Sequence, residues 1–393
     1  MAKKRRKKTK KKTSKGFRIT AFFICCVAVL GAFFYWLHHV SGPRSTAYEE
    51  IFPKSSELKT RISNIDNAVY ESLYSEGIDE KDIYFSDIAT VNSGGYEWDF
   101  TELTVRVQDR KTALRLVDAI TNELLALKPD VEAYREAASD SDELVFNVFS
   151  LDLYTHRIRF SYTGTWKQPY KDLPKIAIVI DDFGDDYGLA TSFMDIGFPI
   201  TMSILPSSTH AKKIAEKAVE NGFEVILHLP MEPKNYPDVY PGPDALLTSM
   251  DEKEILGLID KNLEKIPGVY GINNHMGSCF TEQEDKMTYV LKELKKRDLF
   301  YLDSRTTSNS VGFRLAGEIG VPTAERDVFL DNDQSYKAVK YQMDRLIGIA
   351  RYSGEAIGIG HPHDVTLEIL REYAGVLKTD YNMVPVSQLV KQQ

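Results

Sequence analysis

Five apolar segments of this sequence end on residues that can hold a cation or move a proton. "KIAIVIDDFG" ends on Asp181 and Asp182, "FEVILHLP" on His228, "VYGINNHMGS" on Asn273, Asn274 and His275, "LFYLDSRT" on Asp303, and "AIGIGHPH" on His361 and His363. Solvated loops favour Lys, Glu and Ser, so repeated Asp, Asn and His endings point to one shared rim. Four of the eight histidines occupy such ends. Neutral imidazoles and a carboxylate are the usual ligands of a catalytic Zn²⁺, whose open fourth position lowers the pKa of a water towards neutrality. Adjacent aspartates suit a division of labour, one holding the cation and its neighbour taking a proton. Each residue taken singly also has a structural reading. Asp303 can cap the next helix, His228 and His275 can be satisfied core histidines, and His363 reads as a neighbour of the site rather than a ligand. His156, alone on a polar strand, reads as structural.

Such a rim needs parallel strands. From residue 174 onwards, "KIAIVID", "PITMSIL", "FEVILHL", "VYGINNH", "LFYLD", a weaker "VFLD" and "EAIGIGH" alternate with helical segments, among them 208–221, 251–265 and 283–297. That alternation predicts parallel strands with crossover helices, in an open doubly wound sheet or a barrel. Ahead of it, a helical pattern over 56–76, the strand "WDFTELTVRV", a helix near 111–127 and strands near 144–153 and 156–162 predict a small α+β domain over 44–165, without a catalytic cluster. Polar, proline-containing stretches at 41–55 and in "GTWKQPYKDLP" read as a stalk and a linker.

The N-terminus is of another kind. Eleven Lys and Arg with no acid fall within 1–18, which leaves 38 basic against 57 acidic residues, net −19, in the rest of the 393. An acidic body argues against a nucleic-acid surface. Next comes "ITAFFICCVAVLGAFFYWL", 19–37, uncharged, long enough to span a bilayer and closed by an aromatic belt. This predicts an uncleaved transmembrane anchor with the basic tail in the cytoplasm and the remainder on the periplasmic or cell-envelope side of the inner membrane. Cys25 and Cys26 lie inside the apolar segment, so Cys279 stands alone beyond it and no disulfide within that part is possible.

In order, "AIVIDDFG", "HLPMEP", "GINNHMGS", "LDSRT" and "IGIGHPH" resemble the divergent polysaccharide deacetylases, an envelope-associated branch of the polysaccharide deacetylase superfamily, over about 174–390. The resemblance implies a distorted (β/α) barrel of about seven strands and metal-dependent removal of acetyl from an N-acetylated envelope glycan, with Zn²⁺ the first candidate among divalent ions. It implies that Asp181 is the base, that Asp182 and His228 bind the metal, and that His361 is the general acid. Where the superfamily has a second histidine after His228 this chain has Glu232, and His275 looks like the replacement ligand. The alternative reading is a metal-containing glycan-binding or envelope scaffold protein without turnover. A metallophosphoesterase, prompted by "NNH", lacks the further glycine-flanked Asp and His motifs such enzymes carry.

Overall fold

The computed structural model describes residues 53–93, 96–128, 131–135, 143–162 and 172–392. The basic tail, the 19–37 segment and most of the expected linker lie outside them. Among the described residues no helix is long and apolar enough to cross a membrane.

Helix α1 (Pro53–Ser75) lays Ile65, Val69, Tyr70 and Leu73, spaced at helical intervals, against a five-stranded sheet. Its strands are β1 (Ile83–Ser93), β2 (Tyr96–Arg106), β3 (Val131–Arg135), β4 (Glu143–Ser150) and β5 (Leu153–Ser161), in the order β1-β2-β5-β4-β3. All neighbours are antiparallel except β2 and β5. Helix α2 (Arg110–Leu124), started by Asp109 accepting from the Thr112 amide, shares a core with α1.

The rest is βα-alternating: β6 (Lys175–Phe183), α3 (Tyr187–Met194), β7 (Thr201–Ile204), α4 (Ala211–Glu220), β8 (Glu224–Met231), α5 (Glu252–Leu263), β9 (Val269–Met276), α6 (Glu284–Lys296), β10 (Phe300–Asp303), α7 (Gly312–Ile319), β11 (Thr323–Glu325), β12 (Val328–Phe329), α8 (Tyr336–Ser353), β13 (Glu355–Gly360), α9 (Asp364–Asp380) and β14 (Asn382–Met383). The strands are parallel in the order β11-β10-β9-β8-β7-β6-β13-β12, with β14 beside the start of β6. Only Arg326 and Asp327 separate β11 from β12, although these strands close opposite ends of that order. Three residue steps reach about 10 Å at most, so the sheet must curl until its edges approach. The result is a curled parallel half-barrel, consistent with the expected distorted barrel, with eight strands on its path and no pairing between the two edges.

Period-two alternation divides the strand residues between two cores. Ile176, Ile178 and Ile180 pack with the helices, whereas Ala177 and Val179 join Ile226, Leu302, Ile357 and Ile359 on the concave side. Val384, Val386 and Leu389 from the C-terminal segment complete this inner cluster. Continuing the inner series by two residues along each strand reaches Asp181, His228 and His361.

Helix α8 serves both sheets. Val339, Met343, Leu346, Ile347 and Ala350 belong to the half-barrel core, while Tyr341 belongs to the core of the five-stranded sheet. Gly348 is required by this contact: a Cβ there would stand 2.5 Å from the Phe85 ring. Tyr341 also makes a polar contact there. Its hydroxyl donates to Asp66 Oδ1 at 2.6 Å, and His156 Nε2 meets the same oxygen at 2.8 Å. His156 is therefore the structural residue expected.

Candidate metal centre

Consecutive strand residues point to opposite faces, so Asp181 and Asp182 could not both reach the concave mouth from a regular strand. The β6–β7 register breaks between Ile180 and Phe183, and Asp182 takes a left-handed backbone with φ of 54°. Such a conformation costs a non-glycine residue roughly 1–3 kcal/mol and gathers at functional sites. Met276, directly after His275, has φ of 53°. On β8 and β9 regular geometry suffices: His228 lies beside Asn273 in register, and His275, two residues further, shares Asn273's face.

Three potential ligand atoms meet at this mouth. Asp182 Oδ1 is 3.1 Å from His228 Nε2 and 3.0 Å from His275 Nδ1, and the two nitrogens are 3.1 Å apart. Ligands at about 2.0–2.1 Å around a tetrahedral Zn²⁺ stand about 3.3 Å from one another, so the triangle is near the required size. Asp182 Oδ1 is buried without a hydrogen bond, a costly state for a carboxylate oxygen unless a cation meets it.

Neighbouring groups prepare the ligands. His228 Nδ1 lies 2.8 Å from Asn273 Oδ1, an acceptor, so Nδ1 carries the proton and, in the neutral ring, the Nε2 lone pair faces Asp182 and His275. Burial works against ionisation of Asp182, but His275 and then His228 outweigh it and hold the carboxyl well below the ordinary range. Burial likewise depresses the His228 imidazole, yet Asp181 and Asp182 prevail and raise it. The Asp182 carboxylate and the imidazoles of His228 and His275 thus stabilise one another's charge.

His361 approaches the same carboxylate, its Nε2 4.0 Å from Asp182 Oδ2. Asp331 holds it on the other side: Oδ1 is 2.9 Å from His361 Nδ1, and Oδ2 accepts from the His361 amide and the Thr366 hydroxyl, both at 2.6 Å. Burial disfavours the imidazolium, but the Asp331 charge and hydrogen bond, helped by Asp182, push the His361 pKa up to about 9. Asp331, His361 and His363 form a second cluster with potential ligand atoms within 4.8 Å. There the Asp331 oxygens are already hydrogen-bonded, unlike Asp182 Oδ1.

The structure therefore brings Asp181, Asp182, His228, His275 and His361 together and leaves three other strand-end residues out. Asp303 is occupied by the Arg305 and Phe313 amides and the Ser310 hydroxyl, which pins the loop into α7. His363 is half-buried, with Nε2 3.0 Å from Gln334 Nε2. Asn274 turns the other way, where its Oδ1 accepts from the Tyr301 hydroxyl and the Ser304 amide. Glu232 is no ligand either, since its carboxylate accepts from the Thr248 hydroxyl at 2.9 Å and from the Thr248 amide. Sequence reasoning missed Asp331, although it ends "VFLD" as Asp303 ends "LFYLD". It counted Asn273 only as a strand end.

A family described as divergent polysaccharide deacetylase matches residues 178–390. The chain is 36% identical over 218 residues to the uncharacterized protein YibQ of Escherichia coli (strain K12), covering 56% of this chain and 68% of that one. It is 32% identical over 246 residues to an uncharacterized protein of Haemophilus influenzae, covering 62% and 82%. Among solved structures it is similar to the uncharacterized protein ATU2773 of Agrobacterium tumefaciens C58, with a TM-score of 0.54, 26% identity, and coverage of 57% of this chain and 92% of the other.

Proposed function

The chain belongs to the divergent polysaccharide deacetylase family, and from that premise we propose that it removes acetyl groups from an N-acetylated envelope polysaccharide with a divalent cation held by Asp182, His228 and His275. The observation that carries this reading is the buried, unbonded Asp182 Oδ1 at about 3 Å from two imidazole nitrogens. Zn²⁺ is the first candidate, because imidazole and carboxylate suit it. When bound, such an ion supplies a Lewis acid and lowers the pKa of a water. Asp181, fixed by Asn273 at 2.8 Å, takes the proton of the attacking water. His361, kept protonated by Asp331, gives its proton to the departing amine nitrogen. Neighbouring environments that push Asp182 down and His361 up separate ligand from acid.

The same proposal includes an uncleaved membrane anchor over 19–37, a small α+β domain over 44–165 and the barrel over 174–390 facing the envelope. Its support is the basic run before the apolar segment and the aromatic residues after it. One preparation of the full chain tests the function: metal content and acetate release are measured together, with chito-oligosaccharide and peptidoglycan as substrates. Stoichiometric metal with acetate release is expected. Metal without release on any glycan would replace the enzyme by a glycan-binding scaffold, and absence of metal would remove the centre itself.

A further inference from the structure

Asn273 is wholly buried between the two halves of the site, and its amide uses every hydrogen-bonding position it has. Oδ1 lies 2.8 Å from both His228 Nδ1 and the Ser203 hydroxyl, which donates to it. Nδ2 donates to Asp181 Oδ1 at 2.8 Å and to the Ser304 hydroxyl oxygen at 3.1 Å. The amide has only one workable orientation. Asp181, as a carboxylate, can only accept, so the NH₂ must face it and the carbonyl must face His228. That carbonyl in turn requires a proton on Nδ1, which leaves Nε2 free to bind a cation. One side chain thereby holds both a ligand and the group proposed as the base.

We infer that Asn273 is a positioning residue that couples cation binding to base orientation, setting the His228 tautomer with its oxygen and the Asp181 carboxylate with its nitrogen. The inference rests on the roles proposed above for His228 and Asp181. It makes the two functions separable by a one-atom change. Asn273→Asp keeps an acceptor for His228 Nδ1–H but replaces the fixed amide donor to Asp181 by a second carboxyl, with which Asp181 must share a proton instead of accepting from a neutral N–H. Asn273→Leu, of similar size, removes both contacts.

The test uses the full chain and both variants, each shown to be folded by its thermal melt. Zn²⁺ affinity is read by competition with a chelating dye, the Co²⁺ form by its visible absorption, and acetate release as kcat and KM. Asn273→Asp should hold Zn²⁺ within about threefold of wild type and keep the Co²⁺ spectrum, while kcat falls by roughly 10²-fold or more with little change in KM. Asn273→Leu should weaken Zn²⁺ by about 10- to 100-fold, the usual worth of an outer hydrogen bond to a ligating histidine. Equal Zn²⁺ affinity in the two variants, or wild-type kcat in Asn273→Asp, would overturn the inference. Should wild type release no acetate from any glycan, the proposed function fails by itself. The Zn²⁺ and Co²⁺ comparison then tests the hold on His228 by itself, and an unchanged affinity in Asn273→Leu refutes the inference.

Discussion

Replacing Asp331 by Asn should reshape the pH dependence of the reaction rather than simply lower it. Asp331 is buried against His361, its Oδ1 2.9 Å from Nδ1, and its charge and hydrogen bond are the largest influences raising the His361 pKa to about 9. Relative to an ordinary 6.5, that elevation corresponds to about 3 kcal/mol in favour of the imidazolium. An Asn at this position still offers His361 an acceptor but no charge, so most of the elevation should go. With a pKa near 6.5–7, only roughly 3–10% of His361 would remain protonated at pH 8, against about 90% before. Loss of the protonated acid should therefore cut kcat by about 10- to 30-fold at pH 8 and by less than about twofold at pH 6. The sign follows from the role: a general acid works below its pKa, so lowering the pKa moves the alkaline limb to lower pH. The assay is kcat for acetate release from pH 5.5 to 10 on the metal-loaded full chain. A cation's charge shifts the limb in both proteins, so the displacement between them is the quantity to read. A uniform loss at every pH, with the limb unmoved, would refute the assignment of His361 as the acid tuned by Asp331.

Three other outcomes follow from the site and its supports. His228→Ala and His275→Ala each remove one of three proposed ligands and should strip most bound metal, whereas His363→Ala should keep it, as measured by metal analysis after gel filtration. Asp181→Asn should retain metal and lose roughly 10²–10⁴ in kcat, while Asp182→Asn should lose metal; the reverse pattern would exchange their roles. The last concerns stability. Burial and then Glu80 raise the Asp344 pKa to about 7, against the donated hydrogen bonds of Tyr373 and Tyr74. The folded state thus binds a proton more tightly than the unfolded one, and the stabilisation present below pH 4 is lost as pH rises through 7. That loss is on the order of 4 kcal/mol. Asp344→Asn should flatten this decline in denaturant titrations between pH 4 and 8, and parallel curves for the two proteins would contradict it.

Much of the site can be read from strand periodicity alone. Two-residue alternation in "KIAIVID", "FEVILHL" and "EAIGIGH" sends Asp181, His228 and His361 to one face, and parallel strands then bring their ends together. Asp182 follows from no such rule. Alternation would turn it away, and only the register break and positive φ bring it round. Asp331 escapes because its strand, Val328–Phe329, is too short to show a period. β11 and β14, of three and two residues, are also too short, so the approach of the sheet edges is hidden as well. The coupling through Asn273 depends on partners from four separate segments, Asp181, Ser203, His228 and Ser304, which no local pattern can reveal. In the smaller sheet β1 and β3 went unforeseen: "IYFSDIATVNS" alternates irregularly and "VEAYR" is brief.

Helix α8 makes the two sheets thermodynamic partners. With one face in each core, it cannot melt without exposing apolar surface on both sides, and Tyr341, Asp66 and His156 would lose their pairing at the same moment. Cutting the chain between residues 162 and 172 would therefore not liberate two self-sufficient folding units. The barrel fragment would carry away Tyr341 with its apolar surroundings stripped, and the other fragment would keep a buried carboxylate–imidazole pair newly opened to water. Cooperative loss of both sheets in one transition is the behaviour such a shared helix imposes.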